Sequence, residues 1–152
     1  MNRPNDDEPI LDEAAIQAAM DAHLEMYKGL GTFERFAMFM GVAQLLELGL
    51  KNLLIRRFGV DPDSLEIATL GQVRGRLQDN GVRPDFIALL KNVVARRNHM
   101  AHRFMADAAL TQAMFGKEAR FETAELDKGI LELANLAVIF EWTEANDAWG
   151  VE

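Results

Sequence analysis

The sequence predicts an all-α fold, a single-domain bundle of about five helices. Apolar residues recur at spacings of three and four along several stretches, which is typical of amphipathic helices. No stretch alternates apolar and polar residues for long, so no strand is predicted. The length of 152 residues and the apolar share of 49% fit one folded domain with a hydrophobic core.

The N-terminal residues are predicted to lie outside this domain. Residues 1–10 carry three acids and two prolines, which favours a flexible acidic lead-in. Residues 11–150 are predicted to form the single helical domain, whose first helix begins near Leu11 and ends at Gly29. The apolar face of this helix consists of Ile16, Met20, His23 or Leu24, and Tyr27.

The second helix is predicted to be the longest. Thr32 is the expected N-cap, and the helix should continue to Phe58. Gly41 and Gly49 lie inside it, where each costs about 1 kcal/mol relative to alanine. We interpret them as positions of close packing against a neighbouring helix, and a loose helix is the alternative. The apolar face consists of Phe36, Met40, Ala43, Leu46, Leu50, Leu53 and Leu54.

Capping residues and prolines separate the remaining helices. Thr69 is predicted to cap a short third helix. Pro84 suits the first turn of a fourth helix, which should continue to Phe104. Residues 107–122 fit either helix or loop, and Thr123 is expected to cap the last helix. The apolar face of that helix consists of Leu126, Ile130, Leu133, Ala137 and Phe140.

Composition excludes several kinds of site. The chain has no cysteine, so it has neither disulfides nor thiolate metal sites, which fits a reducing compartment. Phosphate-binding glycine loops and zinc-protease or serine-hydrolase motifs are absent from the sequence, so we expect no cofactor and no metal. The sequence shows no signal peptide and no apolar segment long enough to span a bilayer. A cytoplasmic protein without membrane contact is predicted.

Charge is distributed unevenly. The net charge of the chain is −8, which argues against general nucleic-acid binding. Residues 70–106, however, carry seven Lys/Arg and only two Asp/Glu. This segment predicts a local positive surface on an acidic body, and ordinary solvated helix faces are the alternative.

The fourth helix carries the cluster "ARRNHMAHRF", in which three cations and two histidines fall within ten residues. Successive residues of an α-helix advance by about 100°, which places Arg97 in the middle of the apolar face. An arginine there is unfavourable unless it is paired, so a structural ion pair, or hydrogen bonds to carbonyls at a helix C-terminus, is the simplest interpretation for this residue alone. Asn98 and His102 lie together beside the apolar face. The outer side of the helix is predicted to carry Arg96, His99 and Arg103.

The segment from Arg97 to His102 has the pattern R-N-x-x-x-H near the end of a helix. This pattern resembles the motif of the HEPN superfamily, in which an arginine and a polar residue precede a histidine. The wider phrase "RNHMAHRF" resembles a frequent form of that motif. The upstream segment Thr69–Leu77 also resembles the region before the motif helix in related bacterial proteins.

The resemblance implies an all-α fold and an activity. Many HEPN proteins are metal-independent RNA endonucleases of toxin–antitoxin and other defence systems, and they act as homodimers with one composite site. Carried over to this chain, it implies that Arg97 and His102 are the catalytic pair and that Asn98 orients them. It further implies RNA as substrate, 2′,3′-cyclic phosphate ends, and an antitoxin partner such as a minimal nucleotidyltransferase. Arg96 and Arg103 are the candidates for contacts with the RNA backbone.

These residue types suit RNA cleavage, because RNA supplies its own nucleophile, the 2′-hydroxyl. Histidine titrates near neutral pH and can transfer protons, while arginine can stabilise charge on the phosphorane. One chain offers one motif histidine, so two chains would supply both an acid and a base. On a regular helix Arg97 and His102 lie about 140° apart. A partner chain, the reach of the arginine or a frayed final turn must therefore bring them together.

Two alternatives to the nuclease remain. One is a non-catalytic HEPN-like helical module that binds a protein partner or a nucleotide, and the other is an unrelated helical bundle. The intact R-N-x-x-x-H segment favours the nuclease. The net charge of −8 favours the module, because RNA would have to approach an acidic body.

Overall fold

A computed structural model of the chain describes residues 11–104, 106, 109 and 123–150. Within these residues it contains five α-helices and no β-strand, which confirms the predicted all-α bundle. The helices are α1 (Glu13–Leu24), α2 (Thr32–Phe58), α3 (Leu70–Asp79), α4 (Pro84–His99) and α5 (Thr123–Ala145). The prediction for residues 1–10 and most of that for residues 107–122 lie outside the described residues.

Helix α5 lies at the centre of the bundle. It packs against α1, α2 and α4, while α3 packs against α2 and α4. The apolar stripe predicted for α2 faces this core, and Gly49 lies close to the ring of Phe140 on α5, as predicted. The same prediction is wrong for Gly41, where an added β-carbon would meet no described neighbour within 4 Å. Removing a buried leucine side chain costs about 2–5 kcal/mol, so such contacts fix the helices relative to one another. The largest fully buried side chains include Phe39, Leu50, Leu53, Leu54, Leu77, Phe86, Leu90, Leu126 and Leu133.

Of the N-caps predicted for α2 and α3, the one for α3 is confirmed and the one for α2 is wrong. Thr69 caps α3 in a capping box, because its hydroxyl accepts from the Gln72 amide while the Gln72 side chain accepts from the Thr69 amide. Thr32 is not the cap of α2 but its first residue. The cap position is Gly31, whose extended backbone starts the helix without a side-chain hydrogen bond. The last helix begins at Thr123, whose side chain lies outside what the structure describes.

The residues after α5 return to the connection between α3 and α4. The backbone N–H of Arg83 donates to the carbonyl oxygen of Trp149 at 2.8 Å. The indole of Trp149 is only 1% exposed, and it packs edge-on against Phe86 with ring centroids 5.0 Å apart. This segment therefore closes the core at the end where α4 begins.

Helix α2 corrects one expectation from the sequence. It has 27 residues, and by length and composition alone it could span a bilayer. The single glycines and polar residues that interrupt its apolar run hide this property in the sequence. Core helices of soluble proteins also meet this criterion, and 33% of the most apolar window of α2 is buried inside the bundle.

Candidate functional site

Helix α4 changes its winding inside the R-N-x-x-x-H segment. The α-helix was predicted to continue to Phe104, but it ends at His99 and a π-helical turn follows over Met100–Phe104. Phe104 is buried, and its ring stacks on Phe36 of α2 with centroids 4.6 Å apart. The π turn is therefore held at its far end by the core. Single π turns of this kind occur frequently at functional sites.

This π turn brings the motif side chains closer together around the helix axis. Each residue of a π turn advances by roughly 80°, compared with about 100° in an α-helix. Two of the five steps from Arg97 to His102 lie inside the π turn. Their separation around the axis thus falls from about 140° to about 100°. Winding of the helix, rather than fraying of its last turn, accounts for this change.

Arg97 does not form the structural ion pair that its position suggested. Its side chain is half-buried, and its Nη1 donates to the Oδ1 of Asn98 at 3.3 Å. None of the ion pairs within the described residues includes Arg97. The guanidinium is therefore turned toward the flank that carries Asn98 and His102, and it retains donors for another acceptor.

The other motif side chains are accessible to solvent. Asn98, His99, His102 and Arg103 are all exposed. The arrangement thus offers a guanidinium, an amide and an imidazole at one end of α4. A guanidinium can bind a phosphate oxygen, and an exposed imidazole can transfer a proton. The three side chains therefore suit proton transfer on a substrate that carries a phosphate.

Arg96 requires a correction, because it was predicted to lie on the outer side of the helix. Its side chain instead contacts α5, where Nη2 lies 3.0 Å from Glu132 Oε1 and Nη1 pairs with Glu125. The hydrogen bond from Arg96 to Glu132 raises the pKa of Arg96 above its usual value. A β-carbon on Gly129 would lie 2.9 Å from Arg96 Cγ, so α5 approaches this side chain closely. Arg96 joins the end of α4 to α5, and its guanidinium is already occupied by carboxylates.

A cavity of about 310 Å³ lies beside Arg96, between α4 and α5. Two of its lining side chains are carboxylates, which would repel a phosphate. Within the residues that the structure describes, no group of three or more ionisable ligands could hold a metal ion. This cavity was not predicted from the sequence, although the spacing of seven between Glu125 and Glu132 places both acids on one face of α5. The lining residues are Asn92, Ala95, Arg96, His99, Glu125 and Glu132.

In comparisons with known proteins, no family model, no curated protein and no solved structure matches the chain. The resemblance to the HEPN superfamily rests on the segment from Arg97 to His102 together with the all-α fold. Any function has to be argued from the geometry of these side chains.

Proposed function

We propose that this protein is a metal-independent RNA endonuclease that acts as a toxin or defence effector. The observation that carries the proposal is the state of Arg97, whose guanidinium has no carboxylate partner among the described residues and bonds to Asn98. The exposed imidazole of His102 lies five residues further on, inside the π turn. An arginine without an acid partner keeps N–H donors that can bind a phosphate oxygen.

In the proposed reaction His102 exchanges a proton with the RNA, and Arg97 binds the scissile phosphate. A base removes the proton of the 2′-hydroxyl, and the 2′-oxygen attacks the adjacent phosphorus. The P–O5′ bond breaks, and the leaving 5′-oxygen takes a proton from an acid, which leaves a 2′,3′-cyclic phosphate. Arg97 offers paired N–H donors to the phosphorane oxygens as negative charge develops there. Asn98 holds the guanidinium on the side of the imidazole.

A homodimer is part of this proposal, because one histidine cannot act as base and acid at the same moment. The structure offers a surface for it on α2, here called the α2 outer surface. It consists of Phe33, Ala37, Met38, Gly41, Leu45 and Leu48. No charged residue lies between Arg35 and Glu47, so most of this face is uncharged, while the exposed Glu34 lies at its edge beside Phe33.

The α2 outer surface also lies next to the motif. The ring of Phe33 contacts that of Phe104, the last residue of the π turn, with centroids 6.1 Å apart. Leu45 and Leu48 are 68% and 52% exposed, which is unusual for leucines on a long helix of a folded domain. A β-carbon added at Gly41 would meet no neighbour within 4 Å, so the backbone of another helix could approach here. A second copy on this surface would bring its own π turn toward the first.

Leu45→Glu is expected to convert the dimer into a monomer, because a carboxylate would be buried against an apolar partner surface. Light scattering coupled to gel filtration measures the mass of the particle, 17.0 kDa for one chain. Ile67→Glu is the matched control, since Ile67 is 92% exposed and belongs to the connection between α2 and α3 rather than to the α2 outer surface. A monomeric wild type, or loss of the dimer in both variants, would contradict the use of this surface.

RNA cleavage by the purified protein in EDTA tests the proposed activity. We expect endonucleolytic fragments whose 3′ ends are 2′,3′-cyclic phosphates, because the nucleophile is the 2′-oxygen and no metal takes part. RNA with 2′-O-methyl riboses should stay intact. Absence of cleavage across RNAs of varied sequence and structure would refute the proposal.

The α2 outer surface favours a second candidate as well, a non-catalytic module that binds a protein partner. Exposed apolar surface of this extent on one helix is typical of interaction sites. Under this alternative the surface contacts a different protein, for example an antitoxin, and the motif is dispensable. A monomeric, inactive protein that forms a stable complex with the product of a neighbouring gene would favour the module.

A further inference from the structure

The cations of this protein fall into two groups. Within the described residues, seven of thirteen lysines and arginines form ion pairs with acids. Six have no described acid within ion-pair distance, and five of these six lie between residues 74 and 103. The six are Arg74, Arg76, Lys91, Arg97, Arg103 and Lys128. Positive charge without an acid partner is therefore concentrated on α3, α4 and the π turn.

Helices α3 and α4 each carry one of these cations near their contact, Arg74 on α3, whose Nη1 donates to Gln78 Oε1 at 2.9 Å, and Lys91 on α4. The helices are joined by four residues and pack as an antiparallel pair, with a β-carbon on Gly71 lying 3.5 Å from Val94. Arg74 lies three residues from Gly71, and Lys91 lies three residues from Val94. Both steps lead toward the same connecting turn, so Arg74 and Lys91 lie at about the same level on adjacent helices.

The line of Lys91 continues into the motif. Asn98 follows Lys91 by seven residues, which is two turns of an α-helix, so both lie on one flank of α4. In the π turn, smaller steps per residue rotate His102 and Arg103 toward the same flank, within roughly 70° of Lys91. We call Arg74, Lys91 and Arg103 the α3–α4 strip, which is about 18 Å long between Lys91 on α4 and Arg103 in the π turn.

We propose that the α3–α4 strip binds the phosphate backbone of single-stranded RNA and directs it to the motif, an inference that rests on the proposed nuclease function. Cations without acid partners attract a polyanion, and phosphate neutralisation supplies most of such binding. The only acids from Leu70 to Phe104 are Asp79 and Asp85, and Asp85 is paired with Arg83. An RNA chain that approaches along this strip avoids the acidic remainder of the protein.

A single strand suits the reaction better than a duplex does. Attack by the 2′-oxygen needs that oxygen in line with the leaving 5′-oxygen, and a regular duplex holds the backbone away from this geometry. Proteins also recognise RNA sequences mainly in unpaired segments, whose backbone adapts to the protein surface. The strip and the motif together would hold several consecutive phosphates, with the scissile one at Arg97.

Fluorescence anisotropy with a labelled 12-nucleotide single-stranded 2′-O-methyl RNA tests this inference. The probe lacks the nucleophile, so binding is measured without cleavage. We expect the double variant Arg74→Gln/Lys91→Gln to bind about 25-fold more weakly at 0.1 M KCl. The slope of log K against log salt should become shallower by about 1.4, because each phosphate contact in single strands contributes about 0.7.

Lys128→Gln is the matched control, because Lys128 also lacks a described acid partner but lies on α5. It should bind the probe within twofold of the wild type. The RNA-binding role of the strip would be overturned if the control and the double variant lost equal affinity for the probe. An unchanged slope of log K against log salt in the double variant would also overturn it. Displacement of the probe by poly-L-glutamate at equal charge would also overturn it, since the strip would then suit an acidic protein.

The two proposals fail in different ways. If only the double variant loses probe binding and the wild type does not cleave ordinary RNA, the RNA-binding role of the strip is supported and the nuclease proposal is rejected. If cleavage depends on His102 but the double variant binds the probe as the wild type does, the nuclease proposal is supported and the RNA-binding role of the strip is rejected. Circular dichroism of the double variant should match the wild type, because neither Arg74 nor Lys91 is fully buried.

Discussion

His102→Ala and Arg97→Ala are each expected to lower the rate of RNA cleavage by about 10²- to 10⁴-fold. The first change removes the group that exchanges protons, and the second removes donors aimed at the charge that develops on phosphorus. His102 is exposed and Arg97 has no described ion pair, so neither change should disturb the core. Single-turnover cleavage of a labelled RNA in EDTA measures the rate without interference from product release.

His99→Ala supplies the matched control for this experiment. His99 is also an exposed histidine near the end of α4, only three residues from His102, but it lies outside the R and H positions of the motif. Its removal should change the rate by less than about threefold, since it is given no proton-transfer role. Equal losses in His99→Ala and His102→Ala would show that the cluster acts through general electrostatics or folding and not through a specific catalytic pair.

Loss of activity must be separated from loss of the dimer. Light scattering should give the same particle mass for both catalytic variants and for the wild type. Mixing wild-type with His102→Ala protein adds a sharper test of a composite site. Where the site needs one histidine from each chain, heterodimers are inactive, and the activity falls more steeply than the fraction of wild-type chains. Where each chain carries a complete site, the activity falls in proportion to that fraction.

Trp149→Ala is expected to lower the free energy of unfolding by about 3–5 kcal/mol. The indole is 1% exposed, and it packs against Phe86 at 5.0 Å and Phe140 at 5.5 Å between ring centroids. Its Nε1 also donates to Glu144 Oε1 at 2.9 Å. Urea unfolding followed by circular dichroism measures the change, because the far-ultraviolet signal comes from the helices.

Two further variants test the reason for this effect. Trp149→Phe keeps an aromatic ring in the core and should recover more than half of the lost stability, leaving the missing volume and hydrogen bond as the remaining cost. Trp142→Ala removes the same side chain from a position that is only half-buried, so a smaller loss is expected. A loss for Trp149→Ala no greater than that for Trp142→Ala would contradict its place in the core.

Local sequence patterns predicted the helices well, because each pattern has a local physical cause. Apolar spacing placed α2 and α5, and Pro84 lies in the first turn of α4 as predicted. The Thr69 cap was predicted because its partner Gln72 is only three residues away. In each case the interacting groups are close in the chain, so a short stretch of sequence contains all of them.

The features that were missed depend on groups far apart in the chain. Arg96 was placed on the outer side because an isolated helix gives no sign of where α5 will pack. The contact between Arg83 and Trp149 joins residues 66 positions apart, and no periodic pattern announces it. For the candidate site, the sequence identified Arg97, Asn98 and His102 as a group, but it assigned Arg97 to an apolar face that the structure leaves half-open.

The π turn also bears on how motifs of this kind vary in length. A π turn holds one residue more than the α-helical turn that it replaces. Without Ala101, an unbroken α-helix would place the arginine and the histidine about 40° apart, with three residues between them. An inserted residue can therefore be absorbed by local winding without moving the histidine to the far side of the helix. The number of residues between the arginine and the histidine therefore predicts their relative position only when the winding of their helix is also known.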